Sequence, residues 1–210
     1  MFDLVHTLSE NDIENDFVAL ASLPNKERIL IHSAFIIQYK KKKYVYHYTS
    51  VSIRWGEVTS NYFHQRTAKI NSAEVPAFIA MCKETMKKAN PKYGYFYGGE
   101  MYNEKGDHFS ETVMEQTMTC VGFCLNILKG FLEDDYLMYT DWDSTSHEEK
   151  DYVENYAKDY GLKVSDIIDS HRRISPADFL ASSYFKDTPI RKTQTDSKRD
   201  NVEQYVKNFQ

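Results

Sequence analysis

The stretch Thr119-Cys120-Val121-Gly122-Phe123-Cys124-Leu125-Asn126-Ile127-Leu128-Lys129-Gly130 decides how the rest of the chain is read. Thr119 is a residue type that caps helix N-termini, Gly130 one that ends helices, and Val121, Cys124, Leu125 and Leu128 recur between them at helical spacing. The pattern predicts a short amphipathic helix with Cys120 in its first turn. A thiol there faces unpaired N–H groups and the positive end of the helix dipole, which favour thiolate and so lower the pKa. The nucleophile of a cysteine hydrolase needs that setting. Cys124, one turn further along on the apolar side, reads as packing. Taken alone, Cys120 also reads as a small core residue, because cysteine is among the most frequently buried types. A histidine partner elsewhere in the chain distinguishes the two readings.

Upstream lies the clearest β signal. Ile29 to Tyr39 is rich in β-branched and aromatic residues, Lys40 to Lys43 interrupt it, and Tyr44 to Ile53 resumes it, which together describe an antiparallel hairpin after a Pro24-Asn25-Lys26 turn. The lysine run, the one basic block, reads as a solvated turn. Asn11 to Leu23 is open between a short strand and an irregular lead-in, and a further strand is expected at Val58 to Phe63 after a Trp55-Gly56 turn. Asn71 and Glu74, spaced as in a capping box, then open a helix whose apolar stripe is Phe78, Ile79, Cys82 and Met86. Cys82 therefore reads as core.

From Glu100 to Thr119 the residues are polar and without period. Glu100, Asp107, His108 and Glu111 lie there, but their spacing matches no recognised metal-ligand pattern, and neither a metal nor a cofactor is expected. Beyond Gly130 a helix is expected from about His147 to Tyr160. Ser175 then caps a second short helix with Pro176 at its first position. Residues 1–190 read as a single domain, and residues 191–210, polar and of mixed charge, as a loosely held tail.

Of the seven histidines, His6 is near a terminus, and His147 and His171 sit in charged surroundings that predict exposure. His64 and His108 remain possible partners. His32 is better placed, because it opens a strand that fixes its side chain. A turn centred on the four lysines sets Tyr39 opposite Tyr44, Ile36 opposite His47 and His32 opposite Val51. In that register His32 and His47 share a face but stand four residues apart, roughly 13 Å. This is too far for a hydrogen bond, and Thr49 lies nearer on the same face.

The totals set bounds. A hydrophobic fraction of 41% with 14% aromatic residues describes a globular chain with a substantial core. Sixteen tyrosines against eight glycines favour strands and a groove lined with amphipathic rings. A formal charge of -5 argues against nucleic acid as the main partner. Three cysteines, with no Cys-x-x-Cys pair, make no disulfide framework and point to reduced thiols. No signal peptide or membrane-spanning stretch is visible, so the expected location is cytoplasmic unless a specialised export route carries the chain.

The order of parts is informative: a histidine opening a hairpin, a helix, a cysteine at a helix N-terminus, then Ile174-Ser175-Pro176-Ala177-Asp178-Phe179-Leu180. With Ile31-His32-Ser33-Ala34-Phe35-Ile36, Tyr44-Val45-Tyr46-His47 and Thr119-Cys120-Val121-Gly122-Phe123, this order resembles the circularly permuted papain-like hydrolases of the NlpC superfamily, the YiiX/YaeF-type amidases in particular. Lecithin retinol acyltransferase is a more distant relative of that group. The resemblance implies an α+β papain-like fold, an antiparallel sheet packed against helices that include the cysteine helix. It implies Cys120 as nucleophile, His32 as general base and acid, and His47 as the polar third member. The implied activity is that of an amidase or thiol protease, with a peptide, a peptidoglycan fragment or an acyl-containing substrate as partner. A binding protein that has lost turnover, or a lipid acyltransferase or thioesterase using the same residues, are the alternatives. Hairpins of this family turn through glycine and aspartate, and the Lys40 to Lys43 run departs from that pattern.

Overall fold

Among the residues described by the computed structural model (4–7, 15–89, 91, 93–94, 118–132, 134–142, 154–155, 157–159, 161, 163–167 and 173–209), six strands are formed. They are β1 (Val5–His6), β2 (Phe17–Pro24), β3 (Leu30–Tyr39), β4 (Lys42–Tyr48), β5 (Ile53–Glu57) and β6 (Phe63–Arg66). All pair antiparallel in one sheet of order β1-β6-β2-β3-β4-β5. Among the described residues five α-helices with defined bounds accompany it: α1 (Val75–Lys88), α2 (Cys120–Leu132), α3 (Val164–Ile167), α4 (Pro176–Ser182) and α5 (Lys192–Asn208). The fold is α+β.

The stretch left open between strand and lead-in contains β2, a central strand between β3 and β6. Its run Phe-Val-Ala-Leu-Ala-Ser is buried at every position, which removes the polar-apolar alternation that marks a half-exposed strand. Trp55-Gly56, expected as a turn, lies inside β5, and the following strand runs from Phe63 to Arg66 instead of Val58 to Phe63.

The β3–β4 hairpin differs from its expected register by two residues. Lys40 and Lys41 alone form the turn, with φ of 50° and 64°, so that Tyr39 pairs with Lys42 and Ile36 with Val45. Two consecutive left-handed residues twist a two-residue turn in the sense of the strands, the geometry normally supplied by asparagine and glycine. Lys42 and Lys43 are the first residues of β4. At the other end of β3 the register against β2 slips: Leu23 faces His32 while Pro24 faces Leu30, leaving Ile31 without a partner. Such a bulge re-aims the side chains beside it.

The main core joins Phe78, Ile79 and Cys82 of α1 and Phe123, Cys124 and Ile127 of α2 to the sheet through Phe35, Ile37 and Tyr46. Cys82 and Cys124 are fully buried, as their helical positions predict. Before α1, the Glu74 carboxylate accepts the Asn71 backbone N–H at 2.8 Å and Asn71 Oδ1 accepts the Ala73 N–H at 3.0 Å, forming a turn ahead of the helix. At α4 the capping box is complete: Ser175 Oγ accepts the Asp178 N–H at 3.1 Å, and the Asp178 carboxylate accepts the Ser175 N–H at 3.0 Å.

The expectation of a loosely held tail after residue 190 is corrected. Residues Lys192–Asn208 form α5, and Val202 and Val206 are fully buried against Leu30, Phe63 and Leu180, with Tyr205 and Phe209 packed beside them. Val202, Tyr205, Val206 and Phe209 fall at helical spacing, a narrow stripe in an otherwise polar sequence.

Of the expected helix at 147–160, residues 154–155 and 157–159 are helical. Glu100, Asp107, His108, Glu111, His147 and His171 lie outside the described residues. Among the described residues no helix is long and apolar enough to cross a membrane.

Candidate active site

Cys120 is the first residue of α2, and Thr119 caps it as its sequence predicts. Thr119 Oγ1 accepts the Gly122 N–H at 3.1 Å, and its carbonyl accepts the Phe123 N–H at 2.9 Å. The apolar face of α2 is held in the core through Phe123, Cys124 and Ile127, which fixes where the helix start is presented. Cys120 itself is only partly buried, unlike Cys82 and Cys124.

His32 and His47 are brought together. His32 Nε2 and His47 Nδ1 are 2.7 Å apart, with the rings nearly perpendicular at 77°. The two-residue turn accounts for this. Carrying the observed β3–β4 pairing three residues past Phe35 and Tyr46 sets His32 opposite Thr49 and leaves His47 diagonal to His32, within reach of side chains of this length. Thr49, the alternative third residue, has its hydroxyl engaged in its own loop, donating to the Ser52 carbonyl at 3.0 Å.

Cys120 and His32 line one cavity of about 330 Å³, together with Tyr48, Thr49, Ser50 and Tyr93. Cys120 also lines a second cavity of about 560 Å³, formed by the β2–β3 turn, the starts of α2 and α4, and α5. Ile31, at the bulge, and Tyr93 line both. The thiol thus stands where two cavities meet. Backbone N–H groups of Ser33, Val121 and Cys120 itself are directed toward the sulfur and favour its thiolate. The Ser33 contact was not visible in the sequence beyond that residue's place next to His32. Tyr48 fixes the far wall, its buried hydroxyl lying 2.8 Å from the Pro91 carbonyl and 3.0 Å from that of Ser50, a left-handed residue with φ of 69°.

The electrostatics reverse one expectation. Burial pushes the Cys120 thiol above its ordinary value, and the three backbone N–H groups offset this only in part. Desolvation of a thiolate outweighs the helix-start advantage when the sulfur is mostly removed from water. Burial also lowers His32, while burial, then the charges of His32 and Arg54, push His47 down to about 4. The resting site holds a neutral thiol and two neutral imidazoles near pH 7. His47 Nδ1 can then accept the proton on His32 Nε2, leaving the lone pair on His32 Nδ1.

These shifts carry a stability signature. In the unfolded chain both histidines titrate near the ordinary 6.5. The unfolded state therefore binds protons first as the pH falls, and stability present above pH 6.5 is lost as the pH drops from 6.5 toward about 4. Urea unfolding across that window is expected to show falling stability in the native chain and a shallower decline in His47→Asn. Equal slopes would show that the His32–His47 pair does not titrate as described.

No family model, curated protein or solved structure matches the chain.

Proposed function

We propose that the chain is a papain-like cysteine hydrolase that cleaves an amide or related acyl bond. The observation that carries this reading is the Cys120 thiol at a helix start between two cavities, one of them shared with an imidazole whose other nitrogen is held by His47. In the proposed reaction His32 takes the thiol proton as sulfur attacks the carbonyl, so the S–C bond forms from a neutral pair without a pre-existing thiolate. Backbone N–H groups at the helix start, that of Cys120 included, stabilise the oxyanion. The imidazolium returns its proton to the leaving nitrogen or oxygen as that bond breaks. Water, deprotonated by His32, then releases the acyl group from sulfur. His47 is a positioning residue: its lone pair fits the His32 N–H before and after the transfer.

The raised thiol favours a second reading, a protein of the same architecture that binds an acyl or peptide ligand without turnover. Intact-mass measurement with a panel of aryl esters, thioesters, lipid acyl donors and isopeptides separates the two. The expected result is a transient acyl adduct on Cys120 followed by free acid. Binding of panel members with neither adduct nor product would establish the inactive binder, and transfer to an added alcohol or amine in preference to water would make the protein an acyltransferase.

A further inference from the structure

The larger of the two cavities at Cys120 has a composition that the thiol chemistry does not require. Part of its lining is apolar, and the chain exposes large hydrophobic side chains there: Ile29 and Ile31 are each 54% exposed and Tyr93 46%. These are three of the five exposed large hydrophobics among the described residues. The same lining carries charge, with Arg28, Arg173 and Lys207 against the single acid Glu203. Among the described residues Arg28 and Lys207 have no ion-pair partner, although ion pairs elsewhere on α5 engage Lys192 and Arg199. Arg28 is held at φ 64° in the β2–β3 turn, where Asn25 closes the loop by accepting the Arg28 and Ile29 N–H groups at 3.1 and 2.9 Å. Lys207 comes from α5, anchored by the neighbouring Val206 in the core. Two cations from distant parts of the chain thus line the same cavity as the thiol.

We propose that this cavity is the acyl subsite and that it selects acyl groups carrying an anionic terminus, carboxylate or phosphate, separated from the scissile carbonyl by an apolar segment. Ile29, Ile31 and Tyr93 cover the apolar segment, and Arg28 and Lys207 neutralise the anion. The approximately 560 Å³ available is within the range of small-molecule sites. The proposal takes the position of the carbonyl from the hydrolase reading above, whereas the anion-binding lining stands without it.

The test uses the full-length protein with matched p-nitrophenyl esters: hexanoate, the mono-ester of adipate, and the corresponding phosphohexanoate. The expected result is kcat/KM higher for an anionic ester than for hexanoate by roughly tenfold or more, the scale of one charge-assisted hydrogen bond. That ratio falls toward one in Arg28→Gln and in Lys207→Gln and shrinks with added salt. Comparison of the carboxylate and phosphate esters identifies which anion the site takes. In parallel, Cys120→Ala protein is titrated with the anilides of hexanoate and adipate, and tighter binding of the anionic anilide is expected, again lost in the two cation variants. A ratio of one in the native protein, or a ratio untouched by both substitutions, overturns the subsite. Anion-dependent binding to Cys120→Ala with no ester turnover by the native chain instead removes the hydrolase reading and leaves the subsite standing.

Discussion

Cys120→Ala is expected to abolish acyl-adduct formation and to lower turnover of any accepted ester or amide by about a thousandfold or more, the scale on which removal of a covalent nucleophile is felt. The sulfur is the atom that bonds to carbon in the proposed route. Cys120→Ser keeps the shape but offers an alcohol that His32 alone activates poorly, so it is expected to be nearly as inactive. His32→Ala falls in the same range, because among the described residues no other imidazole lines the cavity that His32 shares with the thiol. His47 gives the graded result. His47→Ala removes the acceptor of the 2.7 Å contact and lowers kcat more than KM, whereas His47→Asn offers an oxygen to the same N–H and recovers part of the loss. The acid limb of the kcat/KM profile should lie below the ordinary imidazole value, since burial lowers His32, and should move in His47→Ala. Steady-state kinetics across pH, with folding checked by circular dichroism, reads all of this. Unchanged turnover in Cys120→Ala would end the hydrolase proposal.

Removing residues 192–210, or placing a charge at Val202, is expected to cost about 3 kcal/mol or more, a large fraction of the stability of an ordinary domain. Val202 and Val206 are fully buried, and each side chain of this size contributes about 1.5 to 3 kcal/mol on leaving water. Truncation also uncovers Leu30, Phe63 and Leu180. Val202→Asp adds the penalty of a carboxylate with no partner in an apolar cluster, while Val202→Ala should cost less, through a small cavity. Urea unfolding monitored by tryptophan fluorescence measures the series. A truncated chain that unfolds at the native midpoint would mean that α5 is dispensable to the packed domain. Because Lys207 and Glu203 stand on this helix beside the Cys120 cavity, the truncation is also expected to impair anionic substrates at temperatures where the chain remains folded.

Local signals carried a definite part of this protein. The N-cap at Thr119, the capping box of Ser175 and Asp178, the burial of Cys82 and Cys124 and the existence of the β3–β4 hairpin are each written in a few adjacent residues. Their causes are local too: a hydroxyl reaching an N–H three residues on, or an apolar stripe with a fixed period. The α+β class follows from the same patterns. What sequence alone did not determine depends on residues far apart in the chain. Strand β2 carries no alternation because both its faces are covered, and the covering comes from elsewhere. The hairpin register rested on whether two lysines would accept left-handed backbone, a choice made by the pairing of the strands on either side. That choice brought His47 to His32. Helix α5 is polar along most of its length, and only the cluster of Leu30, Phe63 and Leu180 gives its narrow apolar stripe something to bury against. The sign of the Cys120 shift belongs to the same group. The helix start favours a thiolate wherever it occurs, but desolvation is set by everything packed around the sulfur, and here it outweighs the local effect.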